Sequence, residues 1–325
     1  MKNAHRARDA SVPLLLAAIL AACLQSDGER SSVQQAGMQS QADTGSIATG
    51  QFNLQYRIEG TGTPTMVIGF PSYYARVFSQ NLRSHLRLVF VDHRGSAPSP
   101  GAVDTTAFAL DTLLDDVERA RDELGLGRIA VVGHSGNSFM ALEYAKRYPE
   151  NVSHVIMIGI APDLGAANTQ AMEQNWQEFA SQQRKAVMEE NLQRIPDEQL
   201  AALPPGQGFI RGYIRDAPRI WYDPHFDASP LFEGVQINMD MFNHVWGRIF
   251  TDIDITQQLD SFDRPVFLAL GRYDFIVAPP SSWDPIRPMF RDLTVRVFEQ
   301  SGHTPQYEEA ALFDAELLRW MEERQ

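Results

Sequence analysis

The chain is poor in the residues that open several classes of function. One of its 325 residues is cysteine, Cys23, so neither an intramolecular disulfide nor a redox pair can form. Positive charge is scarce: 28 Lys and Arg stand against 41 Asp and Glu, a formal net charge of -13. No basic stripe interrupts that balance. Binding a phosphate backbone depends on clustered Lys and Arg, so nucleic acid is not an expected partner. There is no Cys/His cluster and no phosphate-cradling glycine loop, so neither a metal nor an organic cofactor is expected. The apolar stretch near the start, Val12 to Ala22, is shorter than the roughly 20 residues a membrane span takes.

What that first stretch does have is a positive start at Lys2, Arg6 and Arg8, the short apolar core, and the ending Leu20-Ala21-Ala22-Cys23. These are the proportions of a secretory signal. The ending resembles the lipobox of bacterial lipoproteins. That resemblance implies that residues 1–22 are a cleaved signal, that Cys23 is lipidated, and that the body is exported and held to a membrane. With Leu24 rather than Asp after the cysteine, it implies the outer membrane, facing the periplasm, in a Gram-negative cell. An ordinary cleaved signal with an unrelated cysteine nearby is the alternative. Loss of Lys2, Arg6, Arg8 and Asp9 with the signal leaves the mature chain near -15. Residues 23–49 are mostly Gln, Ser, Ala and Gly without an apolar period, and are expected to form a flexible tether reaching roughly 25–30 Å.

Beyond the tether, near-continuous apolar runs alternate with helical patterns. Strands are expected at 65–69, 87–92, 128–133, 154–160, 265–270 and 293–298, and helices at 105–124, 136–148 and 305–323. This rhythm predicts an α/β fold with a mostly parallel sheet covered on both faces. Residues 51–58 alternate instead and read as an antiparallel edge strand. Between Ala161 and Phe262 the rhythm stops. The stretch 168–202 is helical in pattern, and beyond Pro204-Pro205-Gly206 come nine aromatics: Phe209, Tyr213, Trp221, Tyr222, Phe226, Phe232, Phe242, Trp246 and Phe250. The expected organisation is a core of residues 50–161 and 263–325 with a helical cap at 162–262. The cap would lie over the strands' C-terminal edge, where open α/β sheets bind ligands. About a third of its aromatics are expected to face a pocket, the rest forming the cap's own core.

The chemistry gathers at that edge. After the run Ile129-Ala130-Val131-Val132 comes Gly133-His134-Ser135-Gly136-Asn137, a strand breaking sharply into a helix with a serine at the break. Such a turn pushes the serine into open space and frees the next N–H to meet an oxyanion. Asn137 stands where the usual G-x-S-x-G pattern has its last glycine. A serine needs a base, and the base needs a partner that holds its tautomer. Asp274, in Gly271-Arg272-Tyr273-Asp274, and His303, in Ser301-Gly302-His303, each follow a late strand, in the chain order serine, acid, histidine. Asp163, after the strand at 154–160, is the rival for the acid. The oxyanion donors expected are the N–H of Gly136 and, from the loop Ile68-Gly69-Phe70-Pro71, the N–H of Phe70.

These residues resemble the α/β-hydrolase superfamily, whose loop is usually His-Gly-x-Pro; here Ile68 replaces the histidine that braces it. Asp92-His93-Arg94-Gly95-Ser96 is similar to the Asp-x-Arg-Gly-x-Gly turn of the same superfamily. Within it the chain is most similar to the prolyl aminopeptidase (proline iminopeptidase) group. The shared features are the Asp-x-Arg-Gly-Ser turn, the Gly-Arg-Tyr-Asp acid segment, Ser-Gly-His and a helical cap. It departs from that group's His-Gly-Gly-Pro-Gly loop and Gly-Gly-Ser-Trp-Gly nucleophile segment. The resemblance implies a hydrolase fold over 51–325 and acyl transfer to Ser135, with His303 as base and Asp274 orienting it. An aminopeptidase would need carboxylates in the cap to hold a substrate ammonium, for which Glu173 and Glu178, flanking Trp176, are candidates; a solvated helix face accounts for them equally. A carboxylesterase or lactonase on small esters, and a non-catalytic binding protein on the same fold, remain open. The partner expected is a small molecule or short peptide.

Overall fold

The apolar runs become the parallel strands of one sheet. The computed structural model describes residues 42–98, 101, 103–105 and 108–324; the expected signal, Cys23 and most of the expected tether lie outside the described residues. The strands are β1 (Asp43–Thr49), β2 (Phe52–Glu59), β3 (Thr63–Ile68), β4 (Leu86–Val91), β5 (Ile129–His134), β6 (Val152–Ile158), β7 (Val266–Gly271) and β8 (Leu293–Phe298). Their order across the sheet is β1-β2-β4-β3-β5-β6-β7-β8. From β4 onward every neighbour pair is parallel, while β2 runs antiparallel to both β1 and β4. Strands buried on both faces explain the unbroken apolar runs: Ile129 and Val131 of β5 enter one core, Ala130 and Val132 the other.

The first core is closed by α2 (Leu110–Glu123) and α3 (Asn137–Arg147), through residues such as Leu113, Val117, Phe139 and Leu142. The second is closed by α1 (Pro71–Val77) and the C-terminal helix, through Tyr74, Val77, Phe313 and Leu317. Between β6 and β7 run α4 (Ala166–Phe179), α5 (Gln182–Arg194), α6 (Asp197–Ala201), α7 (Pro205–Arg215), α8 (Ala217–Ile220) and α9 (Met239–His244). The helix α9 widens at its end into a π-helical turn, Val245–Ile249. The break between α4 and α5 has a local cause: Ser181 caps α5 by accepting the Arg184 N–H at 3.1 Å.

Three expectations need correction. Residues 43–49, assigned to the tether, form β1, and β2 is therefore not the edge strand. The reason is a short alternation hidden in a Gly/Ser/Ala-rich stretch: Ile47 and Thr49 turn inward and are buried, and Gly50, with φ 59°, turns the chain into β2. The helix expected from residue 105 begins at Leu110. The helix expected over 305–323 is broken in two, α10 (Pro305–Glu308) and α11 (Ala310–Glu322). Glu309 at the break leaves helical geometry (φ -119°, ψ 47°), and its carboxylate accepts from Gln300 N–H and Ser301 Oγ.

Candidate active site

Ser135, Asp274 and His303 stand beyond the C-terminal ends of β5, β7 and β8, and Phe70 beyond that of β3. Parallel registers, with Ile68 opposite Val91, His134 opposite Ile158 and Gly271 opposite Phe298, bring these ends to one edge of the sheet. Ser135 has φ 56°, a left-handed conformation that a serine adopts only where surrounding structure over-determines it. The constraint is visible: Ser135 N–H donates to Ile158 O at 2.8 Å and Ser138 N–H to Ser135 O at 2.8 Å, as α3 starts immediately. A Cβ on Gly133 would sit 2.2 Å from Asn137 O, so the first glycine of the motif is what lets α3 fold back over β5.

The His303 Nδ1 lies 2.7 Å from Asp274 Oδ2, with both residues buried. An aspartate accepts, so Nδ1–H donates and Nε2 is left as the basic nitrogen. The second carboxylate oxygen takes the Ile276 N–H at 3.2 Å. Asp163 is exposed at the approach to α4 and accepts the Gly165 N–H at 2.8 Å; its hydrogen bonds are local, and the partner of His303 is Asp274.

The backbone of His303 is held from both sides. Its N–H donates to Ile220 O at 2.6 Å, in the segment between β6 and β7, and its carbonyl lies 2.8 Å from His134 Nε2. A carbonyl only accepts, so His134 carries its proton on Nε2. Burial, with His303 adding to it, pushes the His134 pKa down to about 3, which keeps that ring neutral. Gly159, at φ 58°, makes room: a Cβ there would lie 2.7 Å from His303 O. Glu308 completes the cradle by accepting the N–H groups of Gly302, Thr304 and, across to the insertion, Tyr222. Burial pushes its carboxyl up to about 7 against those donors.

Ser135 and His303 line one cavity of about 100 Å³ with Phe70, Tyr73, Tyr74, His134 and Asn137. Its other wall comes from the insertion and includes Phe209, Tyr213, Phe232, Phe242 and Trp246. Five of the nine aromatics singled out in the sequence therefore face the pocket, more than the third expected. The π-helical turn contributes, since it places Trp246 stacked on Phe242 at 4.2 Å and 11°. Glu173 and Glu178 are elsewhere. Glu173 pairs with Arg219 at 2.6 Å, and Glu178 lines a separate groove with Arg272 and Tyr273.

Of the loop at 69–71, Gly69 N–H is committed to Val91 O at 2.7 Å and Pro71 has no N–H. Among the described residues neither the Phe70 nor the Gly136 N–H has a protein acceptor, as an oxyanion site requires. The sequence reading missed what surrounds these donors. Asn137 donates from Nδ2 to Ile68 O and faces His93 Nε2 through Oδ1, and its signal was a polar residue at a position the fold buries.

Sheet order, elbow and buried His–Asp pair agree with the comparisons. The family model for the alpha/beta hydrolase fold matches residues 66–310, and the chain belongs to that family; it is a hydrolase of the α/β-hydrolase fold. It is 38% identical over 272 residues to the AB hydrolase superfamily protein YclE of Bacillus subtilis, covering 84% of this chain and 96% of that protein. Similarity to the proline iminopeptidase of Heyndrickxia coagulans is lower, 27% over 264 residues, covering 77% and 87% of the two chains. The crystal structure of proline iminopeptidase from Mycobacterium smegmatis superposes with a TM-score of 0.64 at 15% identity, covering 87% of this chain and 98% of that one, which speaks for the fold alone.

Proposed function

We propose that the chain is a serine hydrolase of small carboxylic esters with a short apolar acyl group. The observation that carries this reading is the cavity shared by Ser135 and His303: it is small, aromatic and, among the residues that line it, without a carboxylate. An amino-acyl substrate brings an ammonium that must stay paired once desolvated. Glu173, occupied by Arg219, and Glu178, in another groove, do not line that cavity. At about 100 Å³ the space matches roughly three or four groups the size of water, a butyryl-like chain.

In this reading His303 Nε2 takes the Ser135 hydroxyl proton as Oγ bonds to the ester carbon. Asp274 holds the imidazolium that forms. The negative charge moves to the carbonyl oxygen, where the Phe70 and Gly136 N–H groups meet it without reorganising. His303 then gives its proton to the departing alkoxide, the C–O bond breaks, and an acyl-Ser135 remains. Water enters with its proton passing to His303, and the acid leaves as Ser135 Oγ regains a proton.

Kinetics on p-nitrophenyl butyrate and on proline p-nitroanilide test the reading. Ester hydrolysis at least about 100-fold faster in kcat/KM, lost in Ser135→Ala, is expected; a preference for the prolyl amide overturns it in favour of the aminopeptidase suggested by the similarity to proline iminopeptidases. A folded chain whose Ser135 fails to react with a fluorophosphonate is a binding protein instead. Export and lipid attachment at Cys23 are part of the same proposal. Incorporation of an alkyne fatty acid, absent in Cys23→Ser, is the expected result, and equal labelling of both overturns that part.

A further inference from the structure

We propose that Asn137 is the positioning residue of the oxyanion loop, fixing the distance between the Phe70 and Gly136 N–H groups. This rests on the reading of Ser135 as nucleophile. Asn137 opens α3 two residues after Ser135 and is 1% exposed. Its Nδ2 donates to Ile68 O at 3.1 Å, and its Oδ1 lies 3.3 Å from His93 Nε2. His93 Nδ1 accepts the Gly95 N–H at 3.1 Å. That bond fixes the direction of the whole chain. With Nδ1 unprotonated, Nε2 carries the hydrogen; the hydrogen points to Oδ1, and the amide NH₂ is left for Ile68. Burial, which pushes the His93 pKa down to about 4, agrees with a neutral ring.

The amide thus ties the turn after β4, the elbow after β5 and the end of β3 into one unit. It sits against the oxyanion loop itself: a Cβ on Gly69, where φ is 100°, would lie 2.5 Å from Asn137 Nδ2. On either side of Phe70 the backbone is already committed. Gly69 N–H is on Val91 O, and Phe70 O accepts Tyr73 and Tyr74 N–H at 3.0 Å each. Ile68 O is the remaining anchor of that loop, and Asn137 holds it. A glycine at 137 would leave two buried groups, Ile68 O and His93 Nε2–H, without these partners, and the loop free to shift relative to Gly136. Asn137, which stands where the superfamily pattern has glycine, thus holds the backbone carbonyl of the residue that opens the oxyanion loop.

The experiment takes three readouts on the full chain, on Asn137→Ala, His93→Ala and His93→Gln, and on Ser135→Ala as control. They are fluorophosphonate labelling of Ser135, kcat and KM on p-nitrophenyl butyrate, and inhibition by butylboronic acid, an oxyanion mimic. Removing an oxyanion donor outright costs about 10²–10³ in kcat. Displacing one is expected to lower labelling and kcat about 10- to 100-fold in Asn137→Ala, with KM within about twofold. Boronate affinity should fall by a similar factor. His93→Gln, which returns an N–H near Nε2, should recover most of what His93→Ala loses. A folded Asn137→Ala that labels and turns over within about threefold of the parent overturns the proposal, as does a loss confined to KM. Should Asn137→Ala fail to fold, equal losses in His93→Ala and His93→Gln overturn it. Labelling retained in Ser135→Ala would instead sink the nucleophile reading, whatever Asn137 does.

Discussion

The two walls of the site are held by different means. On the nucleophile wall, Ser135, Phe70 and Gly136 are fixed by neutral groups of the core, at strand ends and at the start of α3: Asn137, His93, Ile68 O and Ile158 O. On the base wall, His303 takes one neutral bond, from His134 Nε2–H to its carbonyl, and is otherwise fixed by the carboxyl groups of Asp274, Glu308 and Glu309 and by a segment of the insertion. There Ile220 O accepts the His303 N–H and Arg219 O accepts the Phe275 N–H, so one stretch of chain is laced to both the histidine and the acid loops. The buried Arg184 pins that stretch through the carbonyls of Pro218, Trp221 and Tyr222. The difference teaches that the proposed nucleophile and oxyanion donors are properties of the core, while the geometry of the proposed base depends also on the insertion.

The largest effects break both walls at the chemistry itself. Ser135→Ala and His303→Ala are each expected to lower kcat by about 10⁴ or more, and Asp274→Asn by about 10⁴ through the wrong imidazole tautomer. Asp163→Asn, at the rival acid, should leave kcat within twofold, and steady-state kinetics of the four variants checks the set. Next comes the dependence of the base wall on the insertion. Arg184→Ala leaves three carbonyls without their guanidinium, one of them Trp221 O in a buried stretch. It is expected to lower kcat about tenfold and to destabilise the protein by about 2–3 kcal/mol. Fluorophosphonate labelling, which also requires His303, should fall with kcat. If instead Arg184→Ala affected KM alone, the insertion would merely shape the pocket and the comparison of the two walls would fail.

How much of this was legible in the sequence follows from range. The strand ends carrying Ser135, Asp274 and His303 were readable because buried parallel strands write themselves as apolar runs, and the residue after each run is fixed by the topology. The strand β1 was not: only Ile47 and Thr49 signal its inward face, and its stability comes from pairing with β2 and from the Thr49 contact to Asp116. Asn137 was visible as an anomaly and its use was not, because its partners, Ile68 and His93, lie 69 and 44 residues away. The cap aromatics were under-assigned to the pocket for the same reason. A hydrophobic pattern separates inside from outside, but a pocket wall and a core both read as inside. Glu173 and Glu178 looked equivalent on α4, and a long-range partner, Arg219, distinguishes them.

The smallest expected effect sharpens the contrast through pH. On the nucleophile wall His93 and His134 are held neutral, with pKa values pushed by burial down to about 4 and about 3. A histidine with a depressed folded pKa takes up its proton more readily when unfolded. These two therefore cost stability as pH falls below about 6.5. On the base wall Glu308 is pushed up to about 7 by burial. An acid with a raised folded pKa ionises more readily when unfolded, so stability is lost as pH rises from about 4.3, the loss being complete once pH passes about 7. Asp92, in the same turn as His93, is also pushed up to about 7 by burial and acts in the same direction as Glu308. The slopes oppose each other, and thermal melts should show a maximum near pH 5–6 with a decline on either side. Asp92→Asn removes one alkaline term without touching Ser135, and it should raise Tm at pH 8 by about 5 °C while changing it little at pH 4.5. Its acid limb, to which the two histidines contribute, should stay where it is. A Tm gain equal at both pH values would show that the carboxyl ionises as readily folded as unfolded, and the opposition of slopes would then rest on Glu308 alone.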